Sequence, residues 1–291
     1  MAPSRPFLRT LAVLGVLAVV AASCGGGGGK KTAAKGTTTS VQDTSTTVAE
    51  TSTTAAGGAT PTTKAGARPG TPAGAKVNGQ PAGNYQPPAG ATPAKPAAPG
   101  TYTEDNSGTS TFGAPPPKSP LVIDAPAGTR QHSTNDMRSG GKGSVSETTL
   151  DYQADGVHLV EVKVTTYTGT GFNQTLDFVG NPPPNAAPTG VTPGHSVDFD
   201  LSSNPPGTNI HVHIDFVRNE TITIGGQPVN TMFIHQEGTL TGNINGKQTM
   251  DAWVSPQYDL FVKTHSTSDA TASGVHFTSD VTSTLEKLTP G

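Results

Sequence analysis

Residues 210–216 read Ile210-His211-Val212-His213-Ile214-Asp215-Phe216, with apolar and polar side chains alternating without a break. In a strand, successive side chains point to opposite faces. The run therefore sends Ile210, Val212, Ile214 and Phe216 toward a core and His211, His213 and Asp215 to the other side. The pattern recurs on either side of it. Val197, Phe199 and Leu201 interleave with Ser196, Asp198 and Asp200, and Ile222 and Ile224 interleave with Thr221 and Thr223. Turn chemistry separates such runs. Gly225-Gly226, Asn245-Gly246 and Asp155-Gly156 are two-residue hairpin signals, and Asn181–Pro184 and Asn204–Gly207 are longer breaks. In Val157–Val164 the apolar phase slips by one residue, which predicts a β-bulge near Leu159–Val160. Met232-Phe233-Ile234 and Leu260-Phe261 predict places where both faces are covered. The large core pieces are Phe172, Phe178, Phe199, Phe216, Phe233, Phe261, Phe277 and Trp253. No stretch beyond the N-terminus shows helical spacing. The expected fold over 100–291 is all-β: an antiparallel meander of about 10–12 strands forming one strongly curved sheet or open barrel, with a β-sandwich as the alternative.

The rest of the chain is different. Of 291 residues, 36 are Gly and 26 Pro, and only 32% are hydrophobic and 13% charged. Soluble domains usually have roughly 45–50% apolar and 25% charged residues. The deficit is concentrated before residue 100. From Gly25 to Pro99 the chain is Gly, Ala, Thr, Pro, Ser and Lys without apolar periodicity, and Tyr85 is its one aromatic. Such a segment does not bury enough surface to offset its chain entropy. Residues 24–99 are therefore expected to be a disordered tether. The tether (25–99) carries 7 basic and 2 acidic residues, a net +5; residues 100–291 carry 9 basic and 19 acidic, a net −10. The overall charge of −3 argues against nucleic acid as a partner, and a single cysteine excludes an intrachain disulfide or a multi-cysteine zinc site.

That cysteine sits in a telling place. Arg5 and Arg9 precede the 12-residue apolar stretch Leu11–Ala22, which is followed by Ser23-Cys24-Gly25. A membrane-spanning helix needs about 20 apolar residues, so the stretch reads as the core of a secretory signal. Ala21-Ala22-Ser23-Cys24 resembles the lipobox of bacterial lipoproteins. The resemblance implies a signal peptide over 1–23, cleavage between Ser23 and Cys24, and lipid (diacylglyceryl and palmitate-type acyl chains) on Cys24. It places the protein on the outer face of the cytoplasmic membrane, anchored through its N-terminal lipid. Lys30, Lys31 and Lys35 would lie beside anionic headgroups.

Three further stretches carry a second resemblance: Thr192–Phe199, Asn219–Val229 and Trp253–Lys263. Together they resemble a group of exported bacterial β-proteins, broadly similar to periplasmic lipoprotein-carrier folds. The likeness spans about 100–291 and implies fold and export, with no activity. Asp259 stands where the group's corner motif has Gly.

The one constellation with sharp chemistry is His211-x-His213-x-Asp215. Its residues share a strand face, and His with carboxylate suits zinc or copper. It is similar to the metal strands of cupins and copper–zinc dismutases. However, no Glu stands at cupin spacing, and Val212 and Ile214 explain the alternation without a metal. Gly194-His195-Ser196-Val197-Asp198 is one residue off a nucleophile elbow and lies at a strand start. Asp136, Asp198, Asp200 and Asp251 lie in no calcium-loop motif. The expectation is a protein without catalytic residues, metal or cofactor, acting as a binding or carrier domain for an apolar ligand or lipid. The alternatives are a structural lipoprotein that binds another envelope protein and, third, a metal-binding β-protein using His211 and His213.

Overall fold

The computed structural model describes residues 76–77, 80–81, 85–111, 113–169 and 173–291. The residues expected to form a signal peptide (1–23), Cys24 and most of the expected tether lie outside them, as does Phe172. The strands are β1 (Lys76–Val77), β2 (Gln80–Pro81), β3 (Gly100–Ser110), β4 (Lys118–Ile123), β5 (Arg130–Asp136), β6 (Lys142–Tyr152), β7 (Gly156–Thr168), β8 (Asn173–Val179), β9 (Asn185–Pro188), β10 (Ser196–Asn204), β11 (Thr208–Ile224), β12 (Gln227–Gly242), β13 (Ile244–Ser255), β14 (Leu260–Ala272) and β15 (Val275–Leu285). There is no helix among the described residues.

β3 to β8 and β10 to β15 pair antiparallel in chain order, and β15 returns to β3 from Ser279↔Ser110 to Leu285↔Glu104. The meander is thus, as expected, one strongly curved antiparallel sheet; it has twelve strands and closes into a barrel. An even number lets every neighbour, including the closing pair, be antiparallel. Closure also removes the unpaired edges on which an open sheet would aggregate. At the closing pair Gly108 has φ 127° and lies against the backbone of β15: a Cβ there would stand 2.0 Å from the Asp280 carbonyl oxygen. Three bulges bend the wall. In β7 the register passes from Thr149↔Glu161 to Leu150↔Leu159, leaving Val160 unpaired where the slipped phase predicts it. The others are at Val217 in β11 and Val262 in β14.

The interior is packed unequally. Inward positions of β7, β8 and β10–β13 carry large apolar groups, among them Val162, Phe178, Phe199, Ile210, Ile214, Phe216, Ile234 and Met250, all buried. Inward positions of β5, β6, β14 and β15 carry Ser133, Ser144, Ser146, Thr148, Ser266 and Ser283. An eight-stranded barrel is just wide enough for side chains to fill, and diameter grows with strand number. Twelve strands with hydroxyls along one side therefore leave space on that side. A second cluster is formed by Ile224 and Val229 of the long β11–β12 hairpin with Tyr102, Ile123, Leu260, Val262, Leu285 and Leu288.

The folded part begins earlier than residue 100. Val77 is buried and pairs with Val197. In residues 91–100 burial recurs at every third position, with Ala94 and Ala97 buried and Ala91 and Gly100 half-buried. Three residues per turn is the period of a polyproline II helix, which Pro93, Pro96 and Pro99 favour. Gln131 of β5 holds this strap by both ends of its amide: Ala97 N donates to Oε1 (2.8 Å), and Nε2 donates to Ala97 O (2.8 Å). Tyr85 Oη donates to Thr189 O at 2.7 Å. Small residues on a pre-extended backbone can pack closely at little entropic cost, so low apolar content does not keep this part of the tether off the domain.

Gly225-Gly226 and Asp155-Gly156 mark hairpins as expected, between β11 and β12 and between β6 and β7. Asn245-Gly246 does not. Both residues are inside β13, opposite Thr271 and Ala270, and the chain reverses at Gly242-Asn243. Gly242 has φ 109° and lies against the Gly207 carbonyl, an approach that only glycine permits, and the Asn245 side chain closes the turn onto Gly242.

Candidate functional site

The space left by the small side chains is a cavity of about 200 Å³ inside the barrel, between β3–β7 on one side and β14–β15 on the other. One end is bounded by loop residues 113–115, by Ser139 of the β5–β6 turn and by Lys142 and Gly143 at the start of β6. The other is bounded by Ala97 of the strap, Tyr152, Asp259 and Leu260. Between them the wall alternates by register. Leu121, Asn135, Ser146 and Val164 lie side by side across β4–β7, and Ile123, Ser133 and Thr148 form the next row. Apolar faces come from Leu121, Ile123, Leu150, Phe261 and Val281, and polar ones from Glu104, Gln131, Asn135, Thr166 and the serines. The lining thus joins apolar and polar groups.

Glu104 is the charged group of this wall. It is an inward residue of β3, 7% exposed, and its Oε2 accepts from Asn135 Nδ2 (2.7 Å) and Ser119 Oγ (3.3 Å). Burial pushes its carboxyl above the ordinary range, against the lowering effect of those two hydrogen bonds. Lys142 at the start of β6 is the one cation among the described lining residues. Two acceptors in the lining, Asn135 Oδ1 and Thr166 Oγ1, are buried with no hydrogen-bond partner within the protein. Such atoms are costly and call for a partner of another kind. At the far end, Asp259 occupies a corner with φ 54°, a left-handed conformation that Gly or Asp tolerates. Burial, with the charge of Asp259 adding to it, pushes the Tyr152 hydroxyl far up, so this phenol stays protonated.

The residues the sequence singled out lie elsewhere. His211, His213 and Asp215 are on the outer wall of β11. His211 Nδ1 donates to Asp200 Oδ1 (2.9 Å), and His213 lies between Asp198 (2.7 Å) and Asp215 (3.2 Å). They belong to a belt that the sequence pattern did not reveal as one. Asp215, His235, Asp251 and His265 stand side by side across β11–β14, acid and imidazole alternating. Burial alone would lower the His213 pKa; the hydrogen bond and charge of Asp198, with Asp215, outweigh it and hold it above the ordinary imidazole value. The hydrogen bond to Asp251 raises His235, against partial burial. Among the described residues no group of three or more His, Cys, Asp or Glu side chains is placed to hold a metal ion. Beside this belt, the Phe233 and Trp253 rings meet tilted at 54°, 5.0 Å between centroids, flanked by the Arg218 guanidinium (4.0 Å from the Phe233 ring) and Lys263 (4.6 Å from the Trp253 ring). This is how the run Met232-Phe233-Ile234 is covered on both faces. Ser23 and Cys24 lie outside the described residues.

Neither Glu104 nor Asn135 carries a signal in the sequence. Thr103-Glu104-Asp105 reads as surface charge; in the barrel Glu104 lies between Ser119 of β4 and Leu285 of β15. Comparison of the chain with protein-family models, curated proteins and solved structures gives no match.

Proposed function

We propose that this chain is a membrane-anchored extracytoplasmic lipoprotein whose barrel binds a small amphipathic molecule in its interior. The observation that carries the binding reading is the cavity itself, walled by hydroxyls and short aliphatic groups where the opposite side of the same barrel is filled. A protein that needed only stability would fill such space, because each buried void costs contacts. Cavities with mainly apolar walls and a few placed polar groups are the usual form of small-molecule sites. Ser146 faces Asn135 on one side and Val164 on the other, in the middle of the wall. In Ser146→Trp the indole would occupy the cavity. A neutral fluorescent probe, N-phenyl-1-naphthylamine, is expected to bind the purified protein saturably at one site and to lose at least about tenfold in affinity in this variant, the equivalent of about 1.4 kcal/mol. Equal binding by a folded Ser146→Trp would rule the cavity out.

The anchor reading rests on Arg5, Arg9, the apolar stretch Leu11–Ala22 and the position of the one cysteine. In cells given labelled fatty acid, the wild-type chain is expected to take up label and Cys24→Ser to take up none. Equal labelling of the variant would refute the anchor and leave the cavity reading untouched.

A further inference from the structure

We infer that the ligand of the barrel cavity is an amphipathic amine, held by its ammonium group between Glu104 and Asn135. This rests on the cavity reading above and specifies the chemistry of that site.

The argument is one of polar complementarity. Glu104 is a carboxyl almost removed from water, in a wall whose described lining has no cation but Lys142 at the start of β6. Asn135 spends its amide donor on Glu104 Oε2, which leaves Asn135 Oδ1 turned to no partner. Thr166 Oγ1, on a residue 1% exposed, is a further unpartnered oxygen in the same lining. Around Glu104 the wall thus offers two acceptor groups, the carboxyl and Asn135 Oδ1, with no cation among the described residues beside them. A carboxylate or phosphate ligand would put a second negative group beside Glu104 and leave Asn135 Oδ1, which can only accept, unsatisfied. An alcohol would bring one donor. A primary ammonium brings three donors and the missing positive charge. It supplies both what Glu104 needs to ionise in a buried place and what Asn135 Oδ1 needs as a hydrogen-bond partner. The rest of the molecule is specified by Leu121, Ile123, Leu150 and Phe261, which present hydrocarbon along the same wall.

The alternating acid–imidazole belt outside the barrel also attracts cations, so the test must separate an interior amine from a superficial one. The probes are n-octylamine, 1-octanol and octanoate, which share one chain and differ in the head group. Binding to the full-length protein at pH 7 is read by calorimetry and by thermal shift. Octylamine is expected to bind about tenfold or more tighter than octanol, and octanoate more weakly than either. In Glu104→Gln, octylamine should lose its advantage and bind no tighter than octanol binds the same variant; in Ser146→Trp both should be lost. Octanol binding as well as octylamine, or octanoate binding best, would overturn the amine inference and leave the cavity reading intact. Octylamine binding that persists in both variants would place the amine on the outer wall, and the inference would fall. If none of the three binds, the cavity reading fails and the amine with it.

Discussion

Val212→Asp is expected to leave no folded barrel. Val212 lies in the middle of β11, 3% exposed, between Phe199 of β10 and Gly238 of β12. It points into the side of the interior that is filled by large apolar groups, where no cation among the described residues stands ready for a carboxylate and the nearest free amide, Gln248, lies across Gly238 on β13. An unpaired buried charge costs several kcal/mol, and the missing isopropyl group adds the usual penalty for lost core contacts. A domain holds only about 5–15 kcal/mol in total. The variant should show no cooperative thermal transition and should have lost the dispersed amide spectrum of the wild type. Thr239→Asp is the matched control. Thr239 is exposed on the neighbouring strand, opposite His211, and its change should stay within about ±0.5 kcal/mol. A Val212→Asp protein melting within a few degrees of the wild type would mean that the faces of β11 are assigned the wrong way round.

The contrast between these two positions is also where the sequence was most legible. From Val197 to Leu201 and from Ile210 to Phe216 the inward residues are large and apolar and the outward ones polar, so alternation alone separates the faces of β10 and β11. The bulge at Val160 was legible for the same reason: a slip of one in a clean alternation has one geometrical meaning. On the opposite side of the barrel the signal vanishes because of the cavity. Ser133, Ser144, Ser146 and Ser266 point inward but look like outward residues, so β5 and β6 alternate polar with polar. Closure was illegible for another reason. β3 and β15 are separated by most of the domain, and the one local trace of their contact is Gly108, a glycine in a strand with no turn beside it. The strap was hidden by its composition. Ala91, Ala94 and Ala97 recur at a period of three, which neither the two-residue nor the 3.6-residue template detects. The outer belt was half visible: His211, His213 and Asp215 share a strand, whereas His235, Asp251 and His265 join them only through register.

Glu104→Gln is expected to make the unliganded protein more stable at pH 8 and to change little at pH 4. The folded-state pKa of Glu104 is raised by burial, so the native chain binds this proton more tightly than the unfolded chain does. For an acid shifted in that direction, stability is greatest below the ordinary carboxylate pKa. It falls as pH rises from there, because unfolding releases a proton that folding retains. Gln does not ionise and keeps the shape. Its carbonyl can accept from Asn135 Nδ2 and its amide can donate toward Asn135 Oδ1, so the variant loses the proton penalty without leaving a new orphan. The gain at pH 8 should be about 1–3 kcal/mol, the range for relieving a poorly compensated buried polar group. His213 and His235 also favour the folded state at acid pH, since raised imidazole pKa values contribute stability that is lost as pH rises through them. Wild type and variant share that component, so the difference between their urea midpoints at pH 4, 6 and 8 isolates Glu104. A variant less stable than the wild type at pH 8 would show that the ionised Glu104 is compensated inside the barrel. The argument that this wall lacks a cation would then be lost.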